Sequence, residues 1–255
     1  MNAPYTPSGG LIAKFGRRWA RIAARAPISV DLDHGLVSFS FDDFPRSAAT
    51  TGAEILERHG WRGTYYASAG YAGTETHHGT MFDGEDLKRL ADAGHEIGCH
   101  THSHLDGSRT GETELLADIE RNEDALRALG YDGPLDSFAY PYGEATPGVK
   151  RLLTQRFASL RGIEAAINRG RCDRSLLKSV PVDGGEAGIV RAVEAAEALI
   201  QDPGWLIFYL HDVQDEPTEW GCTPDQLARV CEAVERSGAR VLTVSEAMAE
   251  MEQGE

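Results

Sequence analysis

Side chains that bind metals or carry protons are concentrated in four short clusters. These are Asp42-Asp43, His100-Thr101-His102-Ser103-His104, Pro141-Tyr142 and His211-Asp212. Each cluster directly follows a short apolar run with the composition of a strand. Because the carboxyl ends of parallel strands meet at one edge of a sheet or barrel, we expect the four clusters to share one site.

The residue types in these clusters suit a hydrolytic metal centre. Two imidazoles and one carboxylate favour a borderline divalent cation such as zinc, with one position left for water. His100 and His104 are four residues apart, so both reach one ion from a helical turn or a tight loop. The ion would lower the pKa of a water towards about 7 and polarise a carbonyl group. A second carboxylate would accept the water's proton, and the neighbours Asp42 and Asp43 fit this division between ligand and base.

The elements that must position these residues alternate between strands and helices. Strand candidates are Leu36 to Phe41, Gly63 to Ala67, Glu96 to Cys99, Ser137 to Tyr140, Phe157 to Leu160, Leu177 to Val182, Trp205 to Leu210 and Arg240 to Thr243. Helix candidates are Ala48 to His59, Gly84 to Ala93, Glu112 to Leu129, Thr146 to Thr154, Ala187 to Ile200, Pro224 to Ser237 and Ser245 to Met251. Seven or eight such units predict an α/β fold, a distorted (β/α)7-8 barrel with its site at the strand carboxyl ends.

Charge divides the chain into two unequal parts. Residues 1–30 hold five basic side chains and no acidic one, whereas the whole chain has a formal net charge of -15. We therefore expect a basic amphipathic extension over 1–30 and a single catalytic domain over 31–255. The helix predicted over residues 11–26 either packs on that domain or lies on an anionic membrane surface. The acidic body argues against nucleic acid as a partner.

Cysteine usage and the N-terminal sequence indicate a compartment. The four cysteines form no close pair, which suits a reducing environment, and we expect them to be buried as small apolar groups. Arg17 and Arg18 precede an alanine-rich stretch, but Arg21 and Arg25 interrupt the apolar core that a signal peptide needs. We therefore expect a cytoplasmic protein.

Two of the clusters resemble the signature motifs of the polysaccharide deacetylases, also called carbohydrate esterase family 4 or the NodB homology domain. Phe41-Asp42-Asp43 resembles the first motif, and His100 to His104 resembles the second. The resemblance implies that Asp42 is the catalytic base. It also implies that Asp43, His100 and His104 hold one divalent metal, Zn²⁺ before Co²⁺, Ni²⁺, Mn²⁺ or Fe²⁺.

The remaining motifs complete the implied reaction. Pro141-Tyr142 is similar to the third motif, in which the backbone N–H of the aromatic residue stabilises the oxyanion. Leu210-His211 is similar to the last motif, whose histidine protonates the leaving amine. By this resemblance Pro141, Tyr142 and Leu210 contact substrate and His211 is the catalytic acid.

Several positions depart from the family pattern. Ala139 stands where the family often has an arginine that pairs with the base, and Arg161 either replaces that arginine from another strand or is an ordinary surface residue. No fourth motif is recognisable, and Asp183 either orients His211 or forms a turn. His102 is expected to point away from the metal. His77 and His78 belong to a loop and are read as surface groups or as contacts at the substrate rim.

The resemblance implies a function that the residues themselves define more coarsely. It implies removal of N-acetyl groups from an acetamido sugar, either a polysaccharide or its nucleotide- or lipid-linked precursor, with release of acetate. Two alternatives stay open. One is a metal-dependent hydrolase of a small non-sugar amide or ureide, and the other is a non-catalytic carbohydrate-binding descendant of the fold.

Overall fold

The computed structural model describes residues 11–253, except for the side chains of residues 11–15 and 17. Its strands are β1 Pro27–Val30, β2 Leu36–Asp42, β3 Thr64–Ala67, β4 Glu75–Thr76, β5 Gly79–Thr80, β6 Glu96–Cys99, β7 Ser137–Ala139, β8 Ser159–Arg161, β9 Gly170–Asp173, β10 Val180–Pro181, β11 Trp205–Leu210 and β12 Arg240–Val241. Its helices are α1 Leu11–Ile22, α2 Ala53–Arg58, α3 Gly84–Asp92, α4 Glu112–Ala128, α5 Pro147–Leu153, α6 Gly185–Ala198, α7 Pro224–Ser237 and α8 Val244–Gln253.

A curled parallel sheet forms the centre of the fold. Seven strands follow the order β10-β11-β2-β3-β6-β7-β8, and β12 pairs with the start of β2. A parallel bridge between Arg161 and Leu177 joins β8 to the chain just before β10, so the two edges of the sheet approach each other. The predicted distorted α/β barrel is therefore confirmed.

Burial on both faces explains why the central strand β11, Trp-Leu-Ile-Phe-Tyr-Leu, reads as a continuous apolar run. All seven residues of β2 are buried, as expected for a parallel strand covered by helices. Inside the barrel, a Cβ on Gly98 would lie 2.5 Å from the ring of Tyr66 and 2.8 Å from the Ser137 hydroxyl, so only glycine fits. A positive φ, typical of a residue that ends a helix, occurs at the four glycines that directly follow predicted helices: Gly60, Gly94, Gly130 and Gly238. The four cysteines are free and buried, as expected.

Some elements differ from the prediction. The strand expected over Leu177 to Val182 is reduced to Val180–Pro181, where the proline lacks the N–H that a ladder needs. The helix expected from Ala48 begins with a π-helical turn, Ala48–Gly52. Two antiparallel pairs, β1 with β9 and β4 with β5, were not predicted because strands of two to four residues are too short to establish a period.

The N-terminal helix ends four residues earlier than predicted and is fixed to the barrel at its C-terminal end. The fully buried Lys150 donates from Nζ to the carbonyls of Ala20 (2.7 Å) and Ala23 (2.9 Å), where a cation complements the helix dipole. The same ammonium group pairs with Asp173 at 2.8 Å. Trp19 and Ile22 remain 51% and 63% exposed.

The amphipathic helix was predicted with Leu11, Ile12, Phe15, Trp19 and Ile22 on its apolar side, and the first three of these side chains lie outside the described part of the structure. The predicted extension ends in β1, which pairs with β9 and buries Ile28 in the body of the protein. The division at residue 30 stays a prediction. Among the described residues, no helix is both long and apolar enough to cross a membrane.

Candidate active site

Asp42 and Asp43 both lie buried at the carboxyl end of β2. Consecutive strand residues normally point to opposite faces. Here Asp43 and Phe44 have φ of 56° and 21°, so the backbone leaves the extended conformation directly after Asp42. The two neighbouring carboxylates, 4% and 5% exposed, can thereby serve one site.

The histidine loop after β6 is held from two sides. The hydroxyl of Thr101 accepts a hydrogen bond from the Leu105 N–H at 2.9 Å. Asp118 of α4 accepts from the N–H groups of His102 and Ser103, both at 2.9 Å. Sequence reasoning missed Asp118, although an acid among the buried positions of α4 was a usable signal.

Backbone strain is concentrated at this site. Six non-glycine residues in the described part of the chain have positive φ, and five of them surround the site: Asp43, Phe44, Thr101, His104 and Tyr142. Such conformations cost roughly 1–3 kcal/mol each and persist where the surrounding structure enforces them. The geometry of the clusters is therefore fixed at the expense of local stability.

Asp43, His100 and His104 form a group whose ligand atoms lie within 4.8 Å of one another. Asp43 Oδ1 is 3.9 Å from His100 Nε2 and 3.7 Å from His104 Nε2. These separations are long for hydrogen bonds but can be bridged by one ion with bonds of about 2.0–2.2 Å. Asp43 Oδ1 is buried without a hydrogen-bond partner. His100 Nδ1 donates to the Ala139 carbonyl at 2.8 Å, which leaves Nε2 for a metal, so the group fits a divalent cation.

Electrostatics place Asp43 and His104 in their ligand forms at neutral pH. Burial raises the pKa of Asp43, but the surrounding imidazoles of His104, His100, His211 and His78 outweigh it and hold the pKa at about 2. Burial lowers the pKa of His104 to about 4, against the attraction of Asp43. Asp43 therefore presents a carboxylate and His104 a neutral imidazole, as metal binding requires.

Asp42 is paired with Arg161, which lies fully buried at the end of β8. Arg161 Nη2 donates to Asp42 Oδ1, and Nη1 donates to the Gly162 carbonyl at 3.1 Å. The guanidinium lies over the rings of Tyr66 and Tyr209, at 5.2 and 5.1 Å from their centroids. Arg161 is therefore not a surface residue; it contacts Asp42, the residue whose usual family partner is missing at Ala139.

The contact with Arg161 also determines the charge of the Asp42 carboxyl group. Burial raises the pKa of Asp42, but Arg161, His100 and His211 together lower it below its ordinary value. Asp42 is thus ionised at neutral pH and able to accept a proton. Its counter-charge comes from Arg161 at the end of β8.

His211 directly follows β11, and its ligand atom lies within 4.8 Å of those of Asp43 and His78. Burial lowers its pKa to about 4, against the attraction of Asp42. Its Nδ1 is buried without a hydrogen-bond partner. No hydrogen bond joins it to Asp183, which the sequence offered as its orienting group.

His78, rather than Asp183, is the side chain that contacts the ring of His211. Its ring stacks on His211 with centroids 4.7 Å apart and an interplanar angle of 9°. Its Nδ1 lies 3.4 Å from Asp212 Oδ1 and 3.2 Å from the Thr218 hydroxyl. His78 is only 4% exposed, so the surface interpretation was wrong for it, whereas its neighbour His77 is exposed.

Three further predicted residues lie around this centre. Tyr142 has φ 59°, and its ring lies 4.3 Å from that of His104 in an edge-on arrangement. Pro141 is buried beside it, and Leu210 is fully buried in the hydrophobic core, so a substrate contact of the Leu210 side chain stays a prediction. His102 is half-buried beside Ser103 and belongs to no group of potential ligands among the described residues, as expected.

Aromatic rings line the approach to the site. Trp220 is 37% exposed, and its carbonyl accepts from the His211 N–H at 3.1 Å. Its ring meets those of His77 and His78 edge-on at 5.2 and 5.6 Å. Tyr71 lies 6.0 Å from the His104 ring. These rings offer faces on which a flat or ring-shaped substrate can stack.

Comparisons with known proteins agree with the site and the fold. Residues 29–156, half of the chain, match the family model described as polysaccharide deacetylase. A chitin deacetylase of Arthroderma benhamiae is 23% identical over 217 residues, covering 84% of this chain and 52% of that protein. A chitooligosaccharide deacetylase of Sinorhizobium fredii is 26% identical over 193 residues, covering 75% of each. The chain thus spans about half the length of the first relative and three quarters of the second.

The fold is also shared with solved structures. A chitin deacetylase from Colletotrichum lindemuthianum superimposes with a TM-score of 0.61 at 16% identity, covering 86% of this chain and 89% of that one. The barrel is therefore retained where most of the sequence has diverged.

Proposed function

The chain belongs to the polysaccharide deacetylase family, and we propose that it is a metal-dependent hydrolase that removes the N-acetyl group from an acetamido sugar. One observation carries the proposal. An ionised carboxylate, Asp42, is held by Arg161 beside the metal-binding group of Asp43, His100 and His104. This is the arrangement that hydrolysis of an unactivated amide requires, a base next to an electrophilic centre.

Asp43, His100 and His104 would hold the cation, and zinc is the ion we propose for two imidazoles and one carboxylate. When bound, it would polarise the acetamide carbonyl and make a nearby water more acidic. Asp42 accepts the proton of the attacking water as the new C–O bond forms. Arg161 keeps Asp42 ionised for this step.

On the other side of the site, His211 supplies a proton to the leaving nitrogen as the C–N bond breaks. Because burial lowers its pKa to about 4, the resting imidazole is neutral and must first take up a proton, which the carboxylates of Asp42 and Asp43 favour against the effect of burial. Proton exchange between Asp42 and His211 through solvent restores both groups, and the products are acetate and a free amino sugar. The Tyr142 backbone N–H stabilises the oxyanion, a contribution of roughly 3 kcal/mol in comparable sites.

Two findings support a sugar rather than another amide. The relatives are named as deacetylases of chitin and of chitooligosaccharides. Trp220 presents an exposed ring beside His211, where a pyranose could stack. The polysaccharide and its nucleotide- or lipid-linked precursors carry the same acetamido group, so they belong in one substrate panel.

The test is a measurement of acetate and free amine after incubation of the zinc-loaded protein with each substrate. The panel holds short N-acetylglucosamine oligomers, a nucleotide-linked N-acetyl sugar, a small aliphatic acetamide and a ureide, with Asp42→Asn as the matched control. We expect equimolar acetate and amine from a sugar substrate. Hydrolysis of only the non-sugar compounds would favour the amide hydrolase alternative, and sugar binding without turnover would favour the non-catalytic one.

A further inference from the structure

A second group of potential ligands shares Asp43 with the first. The ligand atoms of Asp43, His78 and His211 lie within 4.8 Å of one another. Resting on the proposed function, we infer that this group is a second, weaker site for a borderline divalent cation such as Zn²⁺. An ion bound there occupies His211 and inhibits the enzyme when the metal is in excess.

Unpartnered buried atoms point to a ligand in this place. His211 Nδ1 and Asp43 Oδ1 are both buried and have no hydrogen-bond partner among the described residues. A buried polar atom without a partner costs roughly 1–3 kcal/mol, so such atoms usually have a ligand, an ion or water. Four imidazoles, those of His78, His100, His104 and His211, surround the single carboxylate of Asp43. One ion in the first group leaves two of these imidazoles unused.

His78 is oriented in the way that metal-binding histidines usually are. Such a histidine typically donates one ring N–H to a carboxylate or a carbonyl and binds metal through the other nitrogen. His78 Nδ1 faces Asp212 Oδ1 at 3.4 Å, just as His100 Nδ1 faces the Ala139 carbonyl at 2.8 Å in the first group. Asp212 is fully buried and is held by Thr218 N–H at 2.8 Å and Gln214 Nε2 at 2.9 Å. The second group therefore has its own surrounding hydrogen bonds, which orient His78 through Asp212.

Charge sets the order in which the two sites fill. Both ions would share Asp43, and carboxylate-bridged metals typically lie about 3.5–4 Å apart, where two divalent charges repel strongly. In the first group, His100 and His104 have no proton-transfer role that metal binding would block. The second uses His211, so an ion there removes the lone pair through which His211 takes up the proton that it delivers. Loss of activity should therefore follow occupation of the second site.

The inference is tested by zinc stoichiometry in the absence of substrate. The full chain is titrated with Zn²⁺ by isothermal titration calorimetry, in a zinc-buffered solution, and the bound metal is then quantified by mass spectrometry. Wild type is expected to bind two equivalents with separate constants and His78→Gln only one. His77→Gln, on the same hairpin but exposed, is the matched control and is expected to bind two. Activity of the wild type should fall as the second equivalent binds, and this fall should be absent from His78→Gln.

Two results would overturn the inference: a single equivalent bound by wild type, or two equivalents retained by His78→Gln. The first equivalent reports that His78→Gln is folded. If that variant lost both equivalents, Asp212→Asn would decide, because losing an outer hydrogen-bond partner typically weakens a metal site 10–100-fold. An unchanged second constant in Asp212→Asn would then refute the site. Since the stoichiometry is measured without substrate, that result is independent of whether a sugar is deacetylated.

Discussion

Replacing Arg161 by methionine tests the ion pair that supports the proposed base. The change keeps an apolar chain of similar length but removes the charge that faces Asp42. Arg161 is fully buried and Asp42 is 4% exposed, so the remaining carboxylate has little access to water. Breaking a buried pair by removing one partner typically costs about 3–5 kcal/mol.

The double-mutant cycle separates the pair from the other contacts of Arg161. Arg161→Met also loses the bond to the Gly162 carbonyl and the contacts with Tyr66 and Tyr209. Asp42→Asn leaves the arginine charge unpaired, whereas the double variant leaves no unpaired charge. We expect a coupling energy of about 2–3 kcal/mol, measured as the free energy of unfolding in urea with a chelator present.

The pH dependence of the unfolding free energy independently tests the direction in which Arg161 shifts the pKa of Asp42. In wild type the pKa of Asp42 is lowered, so the pair stabilises the protein above the unfolded value of 3.8 and this contribution is lost as pH falls through the folded value. In Arg161→Met burial prevails and the pKa of Asp42 rises above that of the unfolded chain. The gap in stability between the two proteins should therefore narrow as the pH is lowered. A coupling energy below about 0.5 kcal/mol, or a gap independent of pH, would refute the role given to Arg161.

Three further predictions follow from the site and its surroundings. Asp118→Ala should weaken zinc binding about 10–100-fold in a chelator competition assay, because the histidine loop loses its anchor, while Asp124→Ala on the exposed face of α4 should have no effect. Trp220→Ala should raise KM for a sugar substrate about tenfold with little change in kcat, as expected for loss of uniform binding in steady-state kinetics; an unchanged KM would remove the stacking role. Burial lowers the pKa of His95 below its ordinary 6.5, and its Nδ1 accepts from the Gly63 N–H at 2.9 Å. The contribution of neutral His95 to stability is therefore present above pH 6.5 and is lost as the pH falls below that value. His95→Gln should reduce the slope of the unfolding free energy against pH by at most about 1.4 kcal/mol per pH unit. Equal slopes in His95→Gln and wild type would contradict this assignment.

The parts of the site that local sequence encodes were predictable. Asp42 and Asp43 end an apolar run, and His100 and His104 lie four residues apart after another, so the strand-end rule placed both clusters at one edge. The barrel followed from the alternation of strands and helices. In each case the signal lies within a few consecutive residues.

The contacts that the sequence left open, such as that of Arg161, or missed, such as that of His78, span long stretches of chain. Arg161 and Asp42 are 119 positions apart, and His78 and Asp212 are 134 apart, so no local pattern joins them. His78 precedes a two-residue strand that is too short to show a period. The left-handed backbone at Asp43, His104 and Tyr142 has no sequence signature either, because these residues are not glycine.

Asp118 is an exception, since a signal for it was present. Leu115, Asp118, Ile119 and Asn122 follow the spacing of one helix face, and all four are buried. Polar residues at core positions of an otherwise amphipathic helix require buried partners. Asp118 finds them in the backbone of the histidine loop, and Asn122 finds them in the backbone of Ala67 and Ala69, so the pattern indicated which helix face supports the site.

The central claim is that Asp42 acts as the base beside a metal held by Asp43, His100 and His104. Its most direct test compares wild type and Asp42→Asn for acetate release from N-acetylglucosamine oligomers, with bound zinc quantified in both at limiting metal. We predict one zinc equivalent in each protein and a loss of kcat of about 10²–10⁴-fold in the variant, the usual contribution of a general base. Wild-type turnover in Asp42→Asn, or equal acetate release by chelator-treated wild type, would contradict the claim.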